Sequence, residues 1–133
     1  MKRNLLAVVI AASCFAAASA NALTKDEYDV AKQKIETDYD VAKAKCDTLK
    51  GNAKDVCMKE AKGTENVSKA ELEQQYKPSA SHAKKVAEEK ATMNFEVAKE
   101  KCDDLSGDAK SACVNQAKAN HDRAKASLKS RKG

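Results

Sequence analysis

The stretch Tyr39–Lys62, YDVAKAKCDTLKGNAKDVCMKEAK, returns as Phe95–Lys118, FEVAKEKCDDLSGDAKSACVNQAK. Aligned without gaps, thirteen of 24 positions are identical, and each copy holds two cysteines eleven positions apart with a glycine between them. The glycine decides the reading. Gly51 follows Leu49 and Lys50 at the end of an apolar helical stripe, where a left-handed cap is needed, and Gly107 repeats it. Asn52 and Asp108 come next and suit the N-cap of a following helix. Each copy therefore predicts two helices joined by a tight turn, with one cysteine in the last turns of the first helix and the other about one turn into the second. Antiparallel neighbours at that distance can bring two sulfurs together. Of the three connectivities open to four cysteines, local pairing of Cys46 with Cys57 and Cys102 with Cys113 is expected, because each copy is then self-contained.

Working outward, Thr24-x-x-Glu27 is a capping box that starts a helix. The apolar seam that follows is Tyr28, Ala31, Ile35, Tyr39, Ala42, Cys46 and Leu49, with spacings of three and four that keep one side of a helix apolar. YDVAKQK at Tyr28 recurs as YDVAKAK at Tyr39, a period of eleven that favours straight or slightly right-handed helix pairing. The second helix carries Ala53, Cys57, Ala61, Thr64, Ser68 and Leu72 on one face, with Gly63 as a soft point that weakens the helix by roughly 1 kcal/mol relative to alanine. Lys77-Pro78-Ser79 is a break, since proline disfavours a helical residue before it. A third helix is expected from about Ser81 to Leu105 through Ala87, Ala91, Phe95, Ala98 and Cys102. A fourth is expected after Asp108, through Ala109, Cys113, Ala117, Ala124 and Leu128. The fold expected is all-α: two disulfide-stapled helical hairpins, four helices in total, elongated or packed as an up-down bundle. The expected organisation is a leader over 1–22, a first hairpin over 23–77 and a second over 78–133.

The leader reading rests on three features. Lys2 and Arg3 form a basic start, Leu5–Ala12 is an apolar run too short to span a bilayer, and Ala20-Asn21-Ala22 is a small-x-small cleavage signal. Cleavage after Ala22 places the protein in the periplasm of a bacterial envelope, an oxidising compartment that suits disulfides. The rival is a lipoprotein acylated at Cys14, but Ala11-Ala12-Ser13 is a poor lipobox and the cysteine lies early. Loss of Lys2 and Arg3 leaves 23 basic and 20 acidic residues, a mild net charge of +3. Net charge alone therefore does not mark a polyanion binder. After residue 22 the chain has no Trp, one Phe, one Ile and five Leu, while alanine and lysine dominate. That composition favours long helices over a thick core, and each short disulfide loop is expected to stabilise by roughly 2–3 kcal/mol.

The chemistry is sparse. Zinc sites use closer cysteine spacing supported by histidine, and the ten-residue interval here, with His82 and His121 at no ligand spacing, does not match. A dithiol oxidoreductase would show C-x-x-C in an α/β frame. No serine or cysteine nucleophile has an assignable histidine partner, periodicity places no carboxylate pair in a cleft, and no glycine-rich phosphate loop occurs. No enzyme activity, cofactor, metal or small-molecule substrate is expected. His82 and His121 read as solvated surface residues, while Tyr28, Tyr39, Tyr76 and Phe95 read as the few large core side chains. Lysines mostly lie three or four positions from an acid, as in Lys32–Glu36, Lys43–Asp47, Lys84–Glu88, Lys85–Glu89 and Lys99–Asp103, the pattern of a solvated helix face. The exception is Arg123, Lys125, Lys129, Arg131 and Lys132, five basic residues with no acid among them. They are the candidate contacts for an envelope polyanion, although cations also suit a helix C-terminus.

ALTKDEYDVAK, AKCDTLKGNAKDVCMKEAK and AKEKCDDLSGDAKSACVNQAK together resemble a group of small exported proteins of Burkholderia-type bacteria, named cell envelope biogenesis or TolA-like proteins. The resemblance covers nearly the whole chain after the leader and implies an exported helical protein, with no catalytic residues to carry over. Similarity to TolA itself is one of Ala/Lys/Glu-rich composition. The expectation is a non-enzymatic periplasmic helical protein with a structural, envelope-maintenance or stress-protective role. The alternative is a module that binds envelope polyanions or proteins through the basic C-terminal end. A helical protectant against desiccation is a further rival, suggested by the eleven-residue period. Partners expected are an envelope protein or polyanion, or a second copy through the alanine-rich seam; nucleic acid is not expected.

Overall fold

The computed structural model describes residues 22–130. Residues 1–21 of the expected leader, Cys14 included, and the tail residues Arg131 and Lys132 lie outside the described residues. The chain forms α1 (Lys25–Cys46), α2 (Gly51–Tyr76), α3 (Ala80–Lys101) and α4 (Gly107–Ser130), with a short 3-10 turn at Cys102–Asp104. The helices alternate in direction and pack in chain order: α1 on α2, α2 on α3, α3 on α4, with the most extensive interface in the middle. No described helix is long and apolar enough to cross a membrane.

Local chemistry sets the ends. The Thr24 hydroxyl accepts from the Glu27 amide and the Glu27 carboxylate accepts from the Thr24 amide, so the capping box forms. Gly51 and Gly107 hold φ of 59° and 58°, the left-handed region that a β-carbon disfavours. Ser79 caps α3 by accepting from the His82 amide after the Pro78 break. The third helix stops at Lys101, and Cys102–Asp104 tightens into the 3-10 turn instead of continuing to Leu105.

The α1 seam is as expected from Tyr28 to Cys46, but Leu49 has left the helix and is exposed in the turn. The expected aromatics occupy seam positions, all half-buried rather than fully enclosed. On α2, one periodic face is only half of what is buried. At about 100° per residue, Ala61, Glu65, Ser68 and Leu72 lie roughly opposite Gly63, Val67 and Ala70. The first set faces α1, and the second faces α3. Helix α3 is likewise covered on two sides, by α2 at Met93 and by α4 at Phe95. The architecture is therefore a row, in which the two inner helices carry two buried stripes and the outer ones carry one.

Gly63 is not a soft point. A β-carbon there would collide with Met93 Cγ and lie 2.8 Å from Met93 Cβ. The missing side chain is the space that Met93 fills, and it lets α2 and α3 approach closely.

Candidate functional site

The four cysteines pair locally, Cys46–Cys57 and Cys102–Cys113, with Cα–Cα distances of 5.4 and 5.7 Å. Cys57 and Cys113 lie nearer two turns than one into their helices, because α2 and α4 begin at the glycines themselves. Cys46 and Cys102 are the most buried side chains among the described residues. Because α2 and α3 run antiparallel, both crosslinked turns sit at one end of the row. The two turns also share an ion pair at equivalent positions: Lys54 reaches Asp47 at 3.0 Å, and Lys110 reaches Asp103 at 2.8 Å. These replace the helical pairs expected for Lys43–Asp47 and Lys99–Asp103, because each aspartate lies beyond the helix end and turns toward the facing helix. Lys84–Glu88 and Lys85–Glu89 form as expected, whereas Lys32–Glu36 is not paired among the described residues.

Asn52 does not cap α2. Its amide donates to the Glu100 carbonyl at 3.1 Å, tying the first turn to the last turn of α3. Three ion pairs then cross the α2–α3 interface: Lys59–Glu96 at 3.3 Å, Lys101–Glu60 at 3.2 Å and Lys90–Glu71 at 2.7 Å. All are exposed enough to set register more than stability.

Glu65, and not Thr64 as expected, takes the place between Ala61 and Ser68 in the α2 seam, and Thr64 is exposed. Glu65 is only 7% exposed, on the α1 side of α2. Burial pushes its carboxyl up, but Lys62 at 2.8 Å and Lys69 at 2.6 Å donate to it and outweigh burial, so it is held below the ordinary value of 4.5. Lys62 also lies 5.3 Å from the centre of the Tyr39 ring. In the second hairpin, His121 stands at the position of Glu65 and Phe95 at that of Tyr39, and their rings stack at 4.8 Å. His121 is therefore half-buried rather than solvated. Its register with Cys113, Ala117, Ala124 and Leu128 was the available signal. His82 sits at the start of α3, with Nδ1 2.6 Å from the Lys77 carbonyl.

At the end without crosslinks, the Tyr28 phenol donates to Glu73, its ring lies 4.5 Å from that of Tyr76, and the Leu23 amide donates to the Gln75 carbonyl at 3.3 Å. The bond to Glu73, reinforced by burial, raises the phenol pKa above 10.0.

The basic candidates do not converge. The Arg123 guanidinium bends back onto its own helix, donating to the Ala119 carbonyl at 3.3 Å and to Asn120 Oδ1 at 2.7 Å. Lys125 lines a shallow depression with Lys85, Glu88, Glu89, Thr92 and His121, while Lys129 is exposed in the last turn of α4. No ion pair to Arg123, Lys125 or Lys129 forms among the described residues. An open groove of about 320 Å³ lies between α1 and α2, lined by Ile35, Tyr39, Ala42 and Ala61 with charged side chains beside them, and a larger one of about 470 Å³ lies between α2 and α3 around Ala70, Glu73 and His82. Among the described residues, no group of three or more His, Cys, Asp or Glu side chains could hold a metal ion. No family model, curated protein or solved structure matches the chain.

Proposed function

We propose that this is an exported helical scaffold of the bacterial periplasm, without a reaction of its own, serving a structural, envelope-maintenance or stress-protective role. One observation carries the reading: the duplicated hairpins, each clamped by its own disulfide, spend their aromatic side chains with Ile35 and Leu72 on helix contacts and leave mostly charged faces outward. The sequence resemblance to small exported envelope proteins points the same way. Local disulfides suit a protein with a thin core in an oxidising compartment.

The test is a deletion strain. Loss of the gene should raise uptake of large dyes and sensitivity to detergent. The wild-type protein should restore both, whereas a variant with all four cysteines changed to serine should not. Unchanged permeability and stress survival in the deletion strain would refute the role. Fractionation should recover a periplasmic form beginning at Leu23.

A second reading has its own support. Among the described residues Lys125 and Lys129 form no ion pair, so these two, with Arg123, Arg131 and Lys132 of the same basic run, are the contacts this reading assigns to an anionic surface. Binding of the protein to lipopolysaccharide vesicles should then weaken with added salt and with removal of residues after Asp122. Binding indifferent to both would exclude this mechanism.

A further inference from the structure

The sequence duplication places α1 in the role of α3 and α2 in the role of α4. The interface between α2 and α3 thus joins the second helix of one repeat to the first helix of the next. Its counterpart would join α4 to the α1 of another copy. We propose that this protein self-associates head to tail, α4 of one copy packing antiparallel against α1 of the next, in the register of its own α2–α3 interface.

The outer face of α1 carries the first evidence. Val30 is 68% exposed and Val41 50%, the largest exposures among its large apolar side chains. Their equivalents on α3 are Val86 and Val97, both half-buried. At about 100° per residue, these two lie within roughly 40° of Met93, on the side that meets α2. Val30 and Val41 therefore occupy the positions of an interface whose other half is absent from the monomer.

The outer face of α4 supplies that half. Val56, Gly63, Val67 and Ala70, on the α3-facing side of α2, correspond to Ala112, Ala119, Arg123 and Ala126, all exposed on α4; the arginine is the one charged residue of the set and is drawn back onto Asn120. The closest contact in the interior, Gly63 against Met93, becomes Ala119 against Thr37. The residue that must leave room has grown by a methyl, and the residue that fills the room has shrunk from methionine to threonine. The interior ion pairs map without like-charge conflict. Lys59–Glu96 becomes Asn115 with Asp40, Glu60–Lys101 becomes Gln116 with Lys45, and Glu71–Lys90 becomes Ser127 with Lys34. In these three pairs each charge faces a neutral polar partner, while the Asn52 bond to the Glu100 carbonyl has no counterpart because Asp108 stands in place of Asn52, so the contact is weaker than the internal one.

The contact is heterologous: the two surfaces differ, so each added copy offers the same pair of free faces. The alternation of helix direction continues across the junction, since α4 and α1 run in opposite senses.

The test uses the folded, oxidised protein after leader removal. Sedimentation from micromolar to millimolar concentration should show a mass that climbs beyond that of a dimer. Val30→Lys with Val41→Lys should weaken association by about tenfold or more, because the lysines would be buried unpaired, and should leave the melting of the monomer unchanged. To fix the geometry, Thr37→Cys and Ala119→Cys proteins are mixed with a short bismaleimide. The mixture should crosslink between the two variants rather than within either. A strict monomer throughout, association untouched by the two lysines, or crosslinking of Thr37→Cys mainly to itself would each overturn the proposal.

Discussion

Gly63 allows the clearest test of how the row is held together. As a solvent-facing helix position, Gly63→Ala would stabilise by about 1 kcal/mol through helix propensity. The structure reverses that sign. The new methyl would collide with Met93 Cγ and stand 2.8 Å from Met93 Cβ and 3.0 Å from Sδ. The sulfur can swing away, but the β-carbon moves only with the α3 backbone. Overpacking of this kind costs typically 1–3 kcal/mol, so against the propensity gain the net expectation is a loss of up to about 2 kcal/mol. In a protein of this size a loss of that order lowers the melting temperature by up to roughly 10 °C. The decisive assay is a double-mutant cycle read by circular dichroism in urea. In the Met93→Ala background the obstacle is gone, and Gly63→Ala should become neutral or stabilising by up to about 1 kcal/mol. If Gly63→Ala stabilises the protein with Met93 intact, then α2 and α3 do not pack as described.

Three other outcomes are expected. Non-reducing peptide mapping should recover Cys46 with Cys57 and Cys102 with Cys113, and replacing either pair with alanine should cost about 2–3 kcal/mol in denaturant unfolding. Glu65 has a pKa depressed in the folded state, so its contribution is present above its unfolded value near 4.5 and is lost as pH falls through the lower folded value. Glu65→Gln should flatten that acid limb in melts from pH 7 downward, and should cost about 1 kcal/mol at neutral pH because the two lysines remain half-solvated. Tyr28→Phe should cost about 1 kcal/mol and should remove from the ultraviolet titration a phenol that ionises above 10.0.

The parts of this fold legible in the sequence are those governed by local rules. Thr24 with Glu27, Gly51, Gly107 and Pro78 act within a few residues of themselves, and the repeat made local cysteine pairing the natural choice. The stripe on α1 was legible because an outer helix has one buried side. The stripe assigned to α2 was incomplete because an inner helix has two, and small residues such as Gly63 and Ala70 do not announce a second face by hydropathy. Glu65 and His121 were missed for a related reason. Both are polar residues in seam register, and only knowing that Lys62 and Lys69, or Phe95, stand beside them shows how they can be tolerated there. Of the candidate functional residues, the cysteines were fixed by pattern. The basic end was visible as composition, but Arg123 folding back on Asn120 depends on side-chain geometry that spacing does not encode.

Both covalent clamps lie at the same end of the row, and at the opposite end the described residues are held without a crosslink, by contacts such as Tyr28 with Tyr76 and Glu73, Leu23 with Gln75, and the cap at Ser79. The molecule is thus a comb with a rigid spine and looser teeth. Amide exchange should be slowest near Cys46 and Cys102 and should quicken steadily toward Tyr76. Proteases should open the chain from the Lys77 side, leaving each crosslinked fragment intact.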